Sequence, residues 1–516
     1  MFLRSVLPRI FFICLLYQTP VYAENLATLP LSTSITQEIS TILNTKQNSL
    51  LARSNFEFRS DDVETLYKTN NYAPVWLNTP QAEKNITDVL TLLSTAALQG
   101  LNPDDYSVNL LKQNLSTIQF TKSDSMTDFA LYDTALSVSL VRFLHDVHYG
   151  RVNPRSLNFN VKLRTKKSID LPQIIQTAMN EGNILQLAFK VEPNLQQYRQ
   201  LRTALSNNNS VVSTEEKPHK KAKKSGNHSS EYTTKIQLAM ERLRWLPEMN
   251  AGQSIIVNIP AFKLWAIDST EQTNSPVLNL NVVVGKSEKT PTPVLMAEMR
   301  YVEFMPYWNV PPSILKKEIM PKLAHNPGYL ARQNMEVVSL KNGGMRVRQR
   351  PGGKNALGRI KFVFPNSEGV YLHDTPSKSL FARTRRDFSH GCVRVQNPSL
   401  LAQFVLKNQE GWTQGRIDET LRNSTHHQVS LKTHIPVLFF YSTAFYEQGD
   451  KLTFYSDIYG HDATLLAALG KANDVSDSAF IAREPEIIEP SHTPTPEPDD
   501  SQLFSEPSPT HEPLIP

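Results

Sequence analysis

The chain has 516 residues, 40% of them hydrophobic and 20% charged, and a net charge of +5. That length suffices for two or three domains with their own cores, and the composition is ordinary for a globular protein. The modest charge lacks the strong basic stripe of a nucleic-acid binder, so no nucleic-acid partner is expected.

Residues 1–23 read as a signal peptide. Arg4 and Arg9 form a positive start, Ile10 to Tyr17 a short apolar core, and Val21-Tyr22-Ala23 a cleavage site. The core is well short of the ~20 residues that span a bilayer. Cys14 lies inside it rather than after it, which argues against a lipid anchor. No later apolar run is long enough to span. The expectation is an exported protein with no integral membrane segment once the signal is removed. Its mature form would keep one thiol, Cys392, and no internal disulfide.

Residues 24–205 read as an α-helical domain. Val63, Leu66 and Tyr67 follow a start at Ser60 or Asp61 with helical spacing. Tyr72-Ala73-Pro74-Val75-Trp76 breaks that helix. A second holds Val89, Leu90, Leu92, Leu93, Ala96 and Ala97 and stops near Gly100. A third, over 126–148, carries Leu131, Leu136, Leu140, Phe143, Leu144 and Val147, and Gly150-Arg151-Val152-Asn153-Pro154 ends it. His145 and His148 share one side of it, but metal sites need three or four ligands and none is placed nearby. They read as polar-edge residues, and no metal is expected. Residues 206–232 are polar and basic without periodicity and read as a disordered linker.

Residues 233–470 form a mainly β domain. A helix holding Leu238, Met240, Leu243 and Trp245 leads in. Strand-like runs follow at 254–259, 262–267, 278–284 and 299–304, bounded by Pro, Gly and Asn, and the pattern suits an antiparallel sheet. Residues 307–338 interrupt it. Trp308-Asn309-Val310-Pro311-Pro312 leads to a helix from Ile314 to Leu323, and His325-Asn326-Pro327-Gly328-Tyr329 turns the chain. Such an excursion is either a lid or a structural insertion, and the lid is the preferred reading. Pro351 to Gly358 is a Gly-rich stretch without the P-loop pattern, read as a flexible loop beside the site. Strands at 361–364 and 370–373 follow, then a helix from Asn397, and runs at 435–441 and 452–454 read as a closing hairpin. Residues 471–516 form an acidic, Pro-rich tail expected to be disordered.

The chemistry gathers at Ser389-His390-Gly391-Cys392-Val393-Arg394. A lone Cys is either an inert core residue or a reactive thiol. Gly391 favours a tight turn that opens backbone N–H groups toward an oxyanion. Upstream, Val370-Tyr371-Leu372-His373 is a short strand ending in an imidazole. A thiol and an imidazole are the minimum set for thiol catalysis.

His373, a spacer and Ser389-His390-Gly391-Cys392-Val393-Arg394 together resemble the signature of the L,D-transpeptidases, the YkuD-domain family. Tyr371-Leu372-His373-Asp374-Thr375-Pro376 and Arg394 resemble its large, scaffold-bearing YcbB-like branch. So do Asn71 to Trp76 and Gly150 to Pro154 in the helical half. The resemblance implies an α+β fold: a helical N-terminal scaffold domain and a mainly β, YkuD-like catalytic domain with a helical capping insertion. It implies Trp308, Asn309 and Tyr329 as residues of a substrate lid. It implies the periplasm of a Gram-negative envelope and peptidoglycan stem peptides as partners. Relatives often carry a small peptidoglycan-binding domain near the linker, and this chain has no room for one. The oligomeric state is not legible.

The reaction implied is attack by Cys392 on the bond between the L-centred third residue and the D-Ala of a tetrapeptide stem. The acyl group then passes from a thioester to a second stem's amine, giving 3→3 cross-links. His373 would be the general acid/base, in preference to His390. The Cys392 N–H and the Tyr371 hydroxyl would hold the oxyanion. Arg394 either binds a substrate carboxylate or forms a structural ion pair. Ser389 either orients an imidazole or caps the turn. Asp374, adjacent to His373 on a strand, points to the other face and has no role here. The thioester conserves the energy of the broken amide, so no cofactor is required. Water as acceptor, giving a carboxypeptidase, or attachment of a protein or D-amino acid would use the same thioester. A non-catalytic wall scaffold is the reading from a different class.

Overall fold

Apolar residues spaced at three and four build the first half of the chain, and alternating ones build the second. In a computed structural model, the described residues are 33–471 apart from 78, 122–124, 165–167, 208–212, 215–225, 249–251, 270–277, 341–343 and 448–450. The expected signal peptide, most of the expected linker and nearly all of the expected tail lie outside them.

Two compact units are present. The first comprises the chain to Ala96, Asn102–His145 and Asp170–Val191. It is helical: α1 (Thr33–Thr45), α2 (Ser60–Lys68), α3 (Ala82–Ser94), α4 (Val108–Thr121), α5 (Met126–Tyr149, its last turn counted with the second unit), α6 (Leu171–Glu181) and α7 (Leu187–Val191). Val63, Leu66 and Tyr67 of α2 are buried, as are Leu136, Leu140, Phe143 and Leu144 of α5. The Tyr72–Leu77 segment is fastened by a carboxylate of α5. Asp133 accepts the N–H groups of Val75, Trp76 and Leu77 at 2.9, 2.8 and 2.8 Å and the Tyr67 hydroxyl at 2.6 Å. His145 packs edge-on against Phe58.

The second unit takes in Ala97–Leu101, Asp146–Ile169 and the chain from Glu192 onward. Part of the region expected as one helical domain therefore groups with the β-rich half, and a buried network accounts for it. Arg244 bonds Glu241 at 3.0 Å and Tyr198 at 3.0 Å; Tyr198 donates to Gln99 at 3.0 Å, and Glu241 accepts the Val152 N–H at 2.9 Å. Tyr198 lies on α8 (Gln196–Ser206) and Arg244 on α9 (Gly226–Trp245). α9 begins inside the stretch read as linker, where the i,i+4 pair Glu231–Lys235 supports its helix. His148 bonds Ser168 at 3.0 Å.

The main sheet has nine described strands. They are β1 (Gln253–Asn258), β2 (Lys263–Asp268), β3 (Leu278–Gly285), β4 (Leu295–Phe304), β5 (Ile360–Val363), β6 (Leu372–His373), β7 (Asp387–Ser389), β8 (Val393–Val395) and β9 (His427–Phe440). Their order is β7-β3-β8-β6-β5-β4-β9-β1-β2, and β2 also pairs with β3, so the sheet closes on itself. It is mixed rather than antiparallel: β6 runs parallel to β8, β9 to β1, and β7 to β3. Closing the ring around one apolar core sets these directions, which strand patterns alone do not carry. Leu372, Val393, Phe362 and Val302 point into that core. The expected closing hairpin is also displaced. Residues 435–440 belong to β9 inside the sheet, and the hairpin is Ala444–Glu447 with Lys451–Phe454.

Between β4 and β5 stands a subdomain with a core of Val310, Ile319 and Val347. It is helical, as expected, and also holds a three-stranded sheet of Trp308–Asn309, Met335–Ser339 and Met345–Gln349. That pairing carries it to Gln349, past the expected end at 338. Residues Leu315–Ile319 form a π-helical turn, a feature concentrated at functional sites. No helix among the described residues is long and apolar enough to cross a membrane.

Candidate active site

β6 and β8 place the two sequence-predicted groups side by side. Leu372 lies opposite Val393 and His373 opposite Arg394. The Val393 N–H donates to the Tyr371 carbonyl at 3.1 Å, which sets Tyr371 beside Cys392. Alternation along each strand sends Leu372 and Val393 inward, and leaves Tyr371, His373, Cys392 and Arg394 on the opposite face.

The turn before the thiol is held from several sides. Gly391 has φ +112°, a conformation that glycine adopts readily. The Ser389 hydroxyl accepts the Gly391 N–H at 3.2 Å and donates to the Cys392 carbonyl at 2.6 Å. Of its two sequence readings, Ser389 thus takes the turn-capping one. Thr292 donates to the Gly391 carbonyl at 2.7 Å and accepts the Gly285 N–H at 2.9 Å.

Cys392 is half-buried. Burial pushes its thiol up, opposed by hydrogen bonds from the Tyr371 main chain and hydroxyl and by the Lys361 and Arg394 cations. His373 is 5% exposed. Its Nδ1 lies 2.5 Å from the Asp374 carbonyl, which only accepts, so Nδ1 carries a proton, and the Leu357 carbonyl is a second main-chain acceptor at the ring. Burial, with the Arg394 and Lys361 cations, lowers its pKa to about 3. At neutral pH the resting pair is therefore a neutral thiol and a neutral imidazole.

Strand alternation turns the Asp374 side chain away from the face that His373 occupies, and its main-chain carbonyl performs the orienting. Its carboxylate accepts the N–H groups of Arg359 at 2.9 Å and Thr375 at 2.7 Å and pairs with Lys378. It rests on Gly358, at φ +64°, where a Cβ would overlap the carboxyl. The loop before Gly358 is built rather than loose: buried Asn355 donates to the carbonyls of Pro306 at 2.9 Å and Arg350 at 3.0 Å. Gly358→Ala is expected to displace the segment carrying His373 and slow acylation of the thiol about 100-fold, the scale of a ~1 Å misplacement. Stopped-flow acylation measures it, and an unchanged rate contradicts this account.

His390 is exposed and bonds Glu318 of the capping subdomain at 2.7 Å. Trp308 and Tyr329, expected as lid residues, pack against that subdomain's own apolar cluster, because so small a body needs them as core. Asn309 pairs with Arg348 in its sheet. Arg394 is half-buried, its Nε has no hydrogen-bond partner, and no carboxylate pairs with it among the described residues. Past the ends of β6 and β8 a cavity of about 790 Å³ is lined by Arg359, Thr375, Lys378, Phe381, Asn397 and Ser399, among others. Among the described residues no cluster of three or more His, Cys, Asp or Glu is arranged for a metal.

Residues 252–417 match the model of the L,D-transpeptidase catalytic domain, and residues 61–205 that of a scaffold domain. A Haemophilus influenzae protein whose name gives it as a candidate L,D-transpeptidase is 26% identical over 446 residues, 83% of each chain. With the mainly β domain that bears Cys392 and the helical unit before it, these matches settle the lineage: the chain belongs to the L,D-transpeptidase family, in the form that joins a YkuD catalytic domain to a scaffold domain.

Proposed function

We propose that this chain is a cysteine-dependent L,D-transpeptidase acting on peptidoglycan stem peptides in the periplasm and making 3→3 cross-links. The observation that carries this is the pairing of β6 with β8, which sets the thiol and the imidazole on one face of adjacent strands. In this reading Cys392 Sγ attacks the carbonyl of the third stem residue while its proton passes to His373 Nε2. The Cys392 N–H and the Tyr371 hydroxyl hold the oxyanion. The C–N bond breaks, His373 returns the proton to the leaving D-Ala amine, and a thioester remains. The acceptor's side-chain amine then attacks that carbonyl and gives its proton to His373. The C–S bond breaks and the thiolate takes the proton back. Arg394, with no competing carboxylate among the described residues, is assigned to a carboxylate of the donor stem. The capping subdomain covers the donor. The Arg359- and Lys378-lined cavity, on the His373 side, has room and charge for the carboxylate-rich acceptor.

Purified protein is to be incubated with tetrapeptide muropeptides, with and without an amine acceptor. Release of D-Ala with cross-linked dimers is the expected result. Tripeptide alone, whatever the acceptor, reassigns the enzyme as a carboxypeptidase, and no D-Ala release at all sinks the reading. The pH dependence has a definite sign. Because the thiol is pushed up, alkylation of Cys392 is expected to rise steeply only above its ordinary pKa of about 8.5. Because His373 titrates near 3, its neutral form persists below pH 6.5, and acylation by a penem-type β-lactam is expected to stay level from about pH 8 to pH 5. A fall centred near 6.5 contradicts the neutral pair.

A further inference from the structure

The strand register lays four polar side chains in a row across the catalytic sheet: Arg394 on β8, His373 on β6, Lys361 on β5 and Glu303 on β4. The outer two of this row on the β4 side form an ion pair. Lys361 Nζ is 3.4 Å from Glu303 Oε2, and their side chains are 13% and 5% exposed. A pair this far from water carries a desolvation cost and gives no assured stability in return. Its position is more telling than its strength. The same ammonium sits 4.9 Å from the centroid of the Tyr371 ring. Tyr371 stands beside Cys392, fixed there by the Val393 N–H on its carbonyl at 3.1 Å, and its hydroxyl pulls the thiol down against burial. A cation over a phenol ring withdraws charge from it and strengthens its O–H as a donor, the more so out of water.

We propose that Lys361 is a positioning residue for the thiol: Glu303 tethers its ammonium over the Tyr371 ring, and the polarised Tyr371 O–H acts on Cys392 Sγ. Lys361 does this from one strand beyond the reacting pair, which is why it is not a catalytic residue in its own right. The Arg394 guanidinium on β8 and the Lys361 ammonium also act on the sulfur directly through space, so the Tyr371 hydroxyl carries a part of the Lys361 effect that a variant at Tyr371 separates. The inference rests on Cys392 being the nucleophile, and its test separates the two.

The measurements are alkylation of Cys392 by iodoacetamide across pH, read by peptide mass, and acylation by a penem-type β-lactam. Lys361→Gln is expected to move the alkylation midpoint up by roughly 0.5 pH unit or more and to slow acylation about tenfold. Lys361→Arg is expected to restore both. In a Tyr371→Phe background, Lys361→Gln is expected to cost acylation about threefold or less, because only the cation's direct pull on the sulfur is then left to lose. An unmoved midpoint, a full tenfold loss in the Tyr371→Phe background, or failure of Lys361→Arg to restore the profile each overturns the proposal. Melting curves accompany every variant. Should Lys361→Gln unfold, Lys361→Met, which keeps the buried stem apolar, carries the same expectations. A wild-type protein that takes no adduct on Cys392 instead refutes the nucleophile itself, whatever Lys361 does.

Discussion

Cys392→Ala is expected to take no mass adduct from a penem-type β-lactam and to lose at least ~10³-fold in D-Ala release, the scale seen when a covalent nucleophile is deleted. The thiol is half-buried and packs at the margin of the catalytic core, so its loss is expected to leave the melting temperature within a few degrees. Activity and stability thus separate in this one variant. Cys392→Ser is the sharper comparison. It keeps the turn that Ser389 and Thr292 hold around Gly391 and supplies an oxygen in place of sulfur. A neutral imidazole whose pKa is near 3 is a weak base for an alcohol, so the serine variant is expected to be as inert as the alanine. Adduct formation on either variant, or retention of more than about a tenth of the activity, removes Cys392 from the mechanism.

The sequence carried the thiol and imidazole because each sits in a short block with its turn residues attached. Nothing in those blocks stated that β6 and β8 are neighbours. That follows from closure of the sheet, and it is the condition on which the enzyme reading stood. What remained illegible was whatever reaches the site by main chain or from distant strands. The Asp374 carbonyl has no side-chain signature. Lys361 looks like any polar residue of an alternating strand, and Glu303, 58 positions before it, meets it only through strand register. Glu318 lay in an insertion whose polar face gave no sign of which residue would meet His390. The aromatics read as lid residues show a different limit. Trp308 and Tyr329 were conspicuous aromatics, and aromatics in a small subdomain are taken first by its own core.

The helical unit supplies the other large effect, and it too joins a visible motif to an invisible partner. Tyr72-Ala73-Pro74-Val75-Trp76 reads as a helix breaker, but the N–H groups of its Val75 and Trp76 and of the following Leu77 converge on one carboxylate on α5. Asp133 is fully buried, and burial raises its pKa against the pull of those N–H groups and the Tyr67 hydroxyl. Trp76 then donates its indole N–H to Ser137, one turn along α5, at 2.8 Å. Asp133→Ala strands three backbone donors in a dry site, each worth about 1–3 kcal/mol when left unpaired, while the Tyr67 hydroxyl keeps Ser137 at 2.9 Å. Partial relaxation brings the expected loss to about 3–5 kcal/mol, or roughly 6–20 °C in the transition of this unit. Asp133→Asn is expected to do little better, because its NH₂ turns a donor toward donors that need an acceptor. Calorimetry with Trp76 fluorescence reads the effect, since the other tryptophans lie in the second unit. A shift under about 2 °C for Asp133→Ala means that the segment before Trp76 is held by its apolar packing, and that the carboxylate is incidental.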